Sequence, residues 1–262
     1  LKKFEEAEQV LKKAINLDPN NAKAYNNLGT VSIDLVKLNE AEKFVKKAIK
    51  LNPNLSEAYT NLDLILKKQE LTKIINKNKN YHKNKDGLSL NPFISKRKVE
   101  KESIKELYKI STIDLDKTIK QDARYGNGKC SPDFNLFKNN SILKNVETDL
   151  IKIIEIALKS KIFIIDSFFN ILKAGGGTTP HKHINQFDIT SGLIKKKYSL
   201  TYYLSVGDQN CDEPGFLKLY EPDQKILPEE GTIVIIPASR SHSAIYNGKS
   251  DRVMIGINFY SI

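Results

Sequence analysis

No apolar run in the chain approaches the roughly 20 residues that a bilayer-spanning helix needs, so no transmembrane segment is expected. Cysteine is scarce: Cys130 and Cys211 are too few for a disulfide framework in 262 residues. Free thiols in a reducing, cytoplasmic setting, in a soluble protein, are the expectation. A secretory signal is missing as well, but the sequence opens at Leu1 without methionine and inside a repeat, so its true N-terminus is expected upstream. Arginine is rare too, limited to Arg97, Arg124, Arg240 and Arg252. The net charge of +11 therefore comes almost entirely from lysines scattered over helices and linker alike. That pattern suits solvated lysine faces rather than a nucleic-acid surface. Where lysine serves nearly everywhere, an arginine beside a candidate site implies a need for its planar fork, and Arg240 and Arg252 flank His242.

What is present begins with a repeat. Shifted by 34 residues, "LKKFEEAEQVLKKAINLDPNNAKAYNNL" at Leu1 aligns with "LVKLNEAEKFVKKAIKLNPNLSEAYTNL" at Leu35. Ala7/Ala41 and Ala14/Ala48 supply small contacts between helices, Pro19/Pro53 end a helix, and Tyr25/Tyr59 and Leu28/Leu62 fill the interface. The segment 1–68 resembles the tetratricopeptide repeat, which implies a concave surface for a protein or peptide partner. Asp63 stands where the preceding copy has Gly29, which suggests a terminal or degenerate helix. Such arrays need about three repeats for stability. Either further repeats precede Leu1, or the last helix caps against the next domain.

Residues 69–90 are polar and rich in Lys and Asn, as in a linker, and His82 within them has no partner motif. Helical patterns follow at 98–119 and 141–159. After Lys161 the chain turns to short β-branched and aromatic runs: "IFII", "SFFNIL", "SLTYYLSV", "GFLKLY", "GTIVIIP" and "RVMIGINF". Strands after helices predict an α+β domain over 91–262 with a sandwich or barrel core.

The chemistry concentrates in "TTPHKHINQFD", residues 178–188. Residues two apart on a strand share a face, so His181 and His183 can supply half of a first-row metal site, and His242 is the remaining downstream histidine. Alternation along the last strand groups Val253, Ile255, Ile257 and Phe259 under the helices, and turns Arg252, Met254, Gly256 and Asn258 toward a cavity. In "SLTYYLSV" the same test sends Tyr203, not Tyr202, to the cavity.

Taken in order, HxH, "TYYLS", "PGFLKLYEP", "GTIVIIPASRSH" and "DRVMIGINF" make residues 91–262 resemble the iron(II)/2-oxoglutarate dioxygenases, in particular the prolyl-hydroxylase-like branch and its microbial relatives. The resemblance implies a double-stranded β-helix (jelly-roll) with flanking helices, in an α+β multidomain chain, and Fe(II) and 2-oxoglutarate as cofactors. It implies His181 and His242 as iron ligands, and Arg252 and Tyr203 on the far carboxylate of 2-oxoglutarate, with Asn258 grouped among the cosubstrate contacts. The family's HxD or HxE is here His181-Lys182-His183. Strand phase makes His183 the third ligand, with Asp188 as the alternative. A three-imidazole site is expected to lose metal as pH falls through about 6.5. A second family position, two residues after the arginine, is Met254. Two other readings stand beside this one. Gly175, His181, His183, Asp188, Gly231, Pro237 and His242 nearly trace cupin spacing, implying a metalloprotein without a keto acid, and a repeat adaptor with an inactive barrel would keep the fold alone.

Overall fold

The computed structural model describes residues 2–78, 91–113, 126–131, 134–138 and 140–262; His82, Arg124 and most of the linker lie outside them. The chain forms two compact units. One comprises Leu1–Lys85, Ile184–Ile194 and Ile262, and the other Asp86–His183 and Lys195–Ser261. An eleven-residue excursion from the second part of the chain, 184–194, thus belongs to the first unit.

The first unit is helical: α1 (Lys2–Leu17), α2 (Ala22–Asp34), α3 (Leu38–Leu51) and α4 (Ser56–Lys77). After the Pro19 turn, the Asn21 side chain accepts a hydrogen bond from the Ala24 amide at 2.9 Å and caps α2. Helices α2 and α3 approach so closely at Gly29 that a Cβ there would lie 2.4 Å from Val45 Cγ2. The equivalent Asp63 meets no such constraint, and its carboxylate pairs with Lys67 one turn on at 3.2 Å. Helix α4 outruns the repeat and continues to Lys77, into the start of the polar stretch. The reason is packing: Ile65, Leu71 and Ile75 keep one buried face through the added turns.

The second unit is a curled antiparallel sheet backed by helices. Its elements are β1 (Phe93–Lys96), α5 (Lys101–Ile113), β2 (Gly126–Cys130), α6 (Lys144–Leu158), β3 (Ile162–His181), β4 (Lys197–Ser205), β5 (Leu217–Leu219), β6 (Gln224–Ile226), β7 (Thr232–Pro237), β8 (His242–Tyr246) and β9 (Arg252–Ser261). Strand order is β1-β7-β4-β9-β3-β8-β5-β6, with β2 also pairing with β3. The runs "IFII" and "SFFNIL" fuse with the glycine run into one 20-residue strand. This strand pairs with β9 over residues 162–172 and with β8 over 176–181, so it passes from one layer of the jelly-roll to the other. Gly177 sits at that passage with φ 153°, where a Cβ would stand 2.1 Å from the Ala244 carbonyl oxygen. Only glycine fits there.

Alternation sorts the two faces as expected. Val253, Ile255, Ile257 and Phe259 join Leu200, Tyr202 and Leu204 in a core with Leu150 and Ile154 of α6. Arg97 pins the edge of this layer: it is bonded to Glu100 and Asp149 and donates to the Tyr202 hydroxyl. The opposite face, with Met254 and Tyr203, turns to a second cluster and a cavity.

Leu150 is fully buried and Ile156, on the same helix, is 74% exposed. Leu150→Ala is expected to cost about 3 kcal/mol and Ile156→Ala under about 0.5 kcal/mol. Denaturant midpoints at unchanged slope check both.

Candidate metal centre

The register of β3 against β8 places His181 directly opposite His242. His183 lies just beyond the strand, since β3 ends at His181. Its position therefore depends on a hydrogen bond rather than on strand phase: the His183 amide donates to the Ala238 carbonyl at 2.9 Å. The three rings converge, with centroids 4.3 to 5.0 Å apart. One nitrogen from each lies within 4.8 Å of the others, the one cluster of metal-ligating side chains found among the described residues.

Two rings are oriented by the backbone. His181 Nδ1 meets the Thr179 carbonyl at 2.9 Å, and His242 Nδ1 meets the Arg240 carbonyl at 3.1 Å. A carbonyl only accepts, so each Nδ1 carries the proton and each Nε2 keeps its lone pair for the centre. His183 Nε2 then faces His242 Nε2 at 3.2 Å. Two lone pairs do not face each other at that distance without a proton or a cation between them. The donor set suits a divalent first-row cation, so the residues present fit the implied iron.

Burial is the main force on the titration of two of these rings. It holds His183 well below the usual 6.5, helped by nearby His242 and His181. It takes His242 down to about 4, with His181 contributing next. Protons thus bind these two rings only well below the expected 6.5, because desolvation penalises imidazolium.

Asp188, the alternative third ligand, is engaged elsewhere. It lies in the short helix α7 (Gln186–Thr190) of the first unit, fully buried. Its Oδ2 accepts from the Asn185 amide at 2.8 Å while its own amide donates to Asn185 Oδ1 at 3.2 Å, a reciprocal capping box. The "INQFD" stretch thus encodes a helix start, not a bend presenting a carboxylate to metal.

Below the histidines runs a cavity lined by Asn170, Ser199, Thr201, Tyr203, Met254 and Gly256, with Phe168 and Leu172. Among the described residues no acidic side chain lines it. Burial pushes the Tyr203 hydroxyl up to about 12, so it stays a donor. Asn170 was not singled out in the sequence, yet a polar residue within "SFFNIL", in phase with Phe168 and Leu172, is the signal for it. Its Oδ1 is buried without a hydrogen-bond partner among the described residues.

Arg252 and Asn258 share the strand face but not the cavity lining. Arg252 is fully buried and donates through Nε to Val206 O (3.2 Å), through one terminal nitrogen to Gly215 O (2.5 Å), and through the other to Pro214 O (2.8 Å). It packs between Tyr246 and Tyr203, 4.9 and 5.6 Å from their ring centroids. No carboxylate pairs with it among the described residues, so its charge meets carbonyl dipoles and the two tyrosine ring faces. Asn258, near the far end of β9, donates to Asp166 Oδ1 at 2.7 Å. Arg240, the other arginine flanking His242, donates to the carbonyls of Tyr220 and Pro222 and to Gln224 Oε1, and so holds the turn before β8.

The unfolded chain binds protons at histidine near 6.5, whereas the folded chain keeps His242 neutral down to about 4. The unfolded state therefore binds more protons between these values, and stability, complete above pH 6.5, is lost as pH falls toward 4. Denaturant titration of metal-free protein at pH 7.5 and 5 is expected to show roughly 2 kcal/mol of loss from His242 alone, a share that disappears in His242→Asn.

Comparison with known proteins bears on both units. Family models match the N-terminal segment, one described as TPR repeat over residues 1–32 and one as tetratricopeptide repeat over residues 22–55. No curated protein matches the chain. Among solved structures, a viral collagen prolyl hydroxylase from Paramecium Bursaria Chlorella virus-1, in its 2OG complex, is similar at a TM-score of 0.50 and 11% identity, covering 65% of this chain and 96% of its own. A Pseudomonas putida prolyl-4-hydroxylase has a TM-score of 0.47 and 13% identity, over 66% of this chain and 94% of its own. A Trichoplax adhaerens prolyl hydroxylase, in complex with a hypoxia inducible factor peptide fragment, has a TM-score of 0.46 and 13% identity, over 76% and 90%. The chain thus opens with tetratricopeptide repeats, and its curled sheet is a jelly-roll similar in fold to the viral prolyl hydroxylase.

Proposed function

We propose that the protein is an Fe(II)- and 2-oxoglutarate-dependent dioxygenase that hydroxylates a protein or peptide, in a cytoplasmic setting that keeps iron ferrous and Cys130 and Cys211 reduced. The observation that carries the reading is three converging imidazoles that line a largely apolar jelly-roll cavity with a few polar groups, near a buried arginine without a carboxylate partner among the described residues. When bound, iron and the keto acid together supply the oxidation: O₂ is reduced, 2-oxoglutarate becomes succinate and CO₂, and one oxygen atom enters a substrate C–H bond.

The chain's own residues supply placement. His181, His183 and His242 would hold the metal, two of them pre-oriented by backbone carbonyls. The Tyr203 hydroxyl and the Asn170 amide offer neutral donors to a carboxylate, and an anion there would compensate the Arg252 charge in a low-dielectric wall. Phe168, Leu172 and Met254 keep the cavity dry enough to strengthen these contacts. The repeats would recruit the substrate.

One observation favours a second reading, a cupin-like metalloprotein that uses no keto acid: the cavity lining omits Arg252. Calorimetry with 2-oxoglutarate on the Fe(II)-loaded, anaerobic full chain separates the two. Tyr203→Phe keeps the ring against Arg252 and removes only the hydroxyl, so 2-oxoglutarate binding is expected to weaken about tenfold. It is a cleaner probe than Arg252→Lys, which also strands three carbonyls. Absence of 2-oxoglutarate binding with metal bound would select the cupin-like reading.

For the metal, His183→Ala is expected to lower Fe(II) affinity by more than about a hundredfold. Asp188→Asn, which keeps the acceptor of its capping box, should leave that affinity little changed. The reverse pattern would make the site two histidines and a carboxylate. Succinate formation on aerobic incubation, with and without candidate peptides, reports turnover.

A further inference from the structure

The chain leaves the sheet unit immediately after the ligand His183, gives residues 184–194 to the repeat unit, and returns at Lys195. Two residues later β4 begins, the strand that carries Thr201 and Tyr203 into the cavity. This excursion is no surface loop. Phe187 and Leu193 are each 1% exposed and Asp188 is fully buried. The Phe187 ring carries the Lys68 ammonium of α4 over its face, 3.6 Å from the centroid, and Lys68 is itself 1% exposed.

A five-residue helix such as α7 has no stability of its own, because nucleating one turn costs more than its few hydrogen bonds return. The capping box and the Leu193 amide, which donates to the Asp188 carbonyl at 2.8 Å, fix the local shape. Burial of Phe187 and Leu193 among the repeat helices supplies the stabilisation. A side chain buried in the repeats therefore lies four residues from a metal ligand, while the ligand itself sits past the end of β3 and is held by one backbone hydrogen bond.

We propose that Phe187 is a positioning residue for His183, acting through the four residues that separate them. This rests on the reading of the three histidines as a metal site.

The test uses the full chain with Co(II) as spectroscopic probe, and amide hydrogen exchange at His183 in metal-free protein. Phe187→Ala is expected to weaken Co(II) binding about tenfold, the size seen when an outer-shell support of a ligand is lost. Exchange at the His183 amide should rise by a similar factor. Phe187→Leu, which keeps most of the apolar volume, should restore most of both. Val45→Ala removes a fully buried side chain elsewhere in the repeat unit and should leave both unchanged in the folded protein. Wild-type Co(II) affinity and wild-type exchange in Phe187→Ala would overturn the inference, as would equal losses in Val45→Ala, which would mean general destabilisation. If the wild type binds no Co(II) but His183 exchange still rises only in the Phe187 variants, the metal reading fails and the positioning of His183 by Phe187 stands.

Discussion

The pairing of β3 with β8 is the constraint on which the site depends. It sets His181 across from His242, two residues 61 positions apart in sequence, and so brings the first two imidazoles together by backbone hydrogen bonding alone. That pairing requires β3 to pass from one layer to the other, and the passage runs through Gly177, where the Ala244 carbonyl leaves no room for a side chain. The glycine run ahead of the histidines is therefore part of the site's construction. His183 comes third and differently, through its amide on Ala238.

The electrostatics of the site follow from what it omits. Among the described residues no carboxylate lines the cavity, so a divalent ion held by three neutral imidazoles would add charge to a region that already has the buried Arg252 beside it. Such a region favours anionic ligands, and its low dielectric magnifies the preference. Arg252 meanwhile has a structural task in fixing the carbonyls of Val206, Pro214 and Gly215. The planar fork inferred from the rarity of arginine is used, in the first instance, on the protein's own backbone.

Chain order and spatial organisation do not coincide. The repeat helices are joined by a segment from within the later part of the sequence, and that segment brings its own capping box and aromatic anchor. Asp188, legible as a possible ligand because it follows HxH, is consumed by this local structure. Burial also changes the titration of His183 and His242: two imidazoles kept in apolar surroundings stay neutral across the physiological range, which suits them to bind a cation rather than a proton.

Much of this was legible in the residues. The 34-residue period marked the repeats because stacked helices impose the same small, large and turn residues on each copy. Alternation in "RVMIGINF" and "SLTYYLSV" separated core from cavity, since a strand's period of two admits no compromise between faces. HxH, with a third histidine after a strand, named the three side chains that converge. The tertiary structure decided what depends on partners distant in sequence. It ended β3 at His181, extended α4 to Lys77 on a buried face, and lowered the titration of His183 and His242 by desolvation. It also bonded Arg252 to three carbonyls and placed residues 184–194 with the repeats. Periodicity and residue type are local properties and can be read along the chain, whereas burial, hydrogen-bond partners and unit membership arise only when distant segments exclude water together.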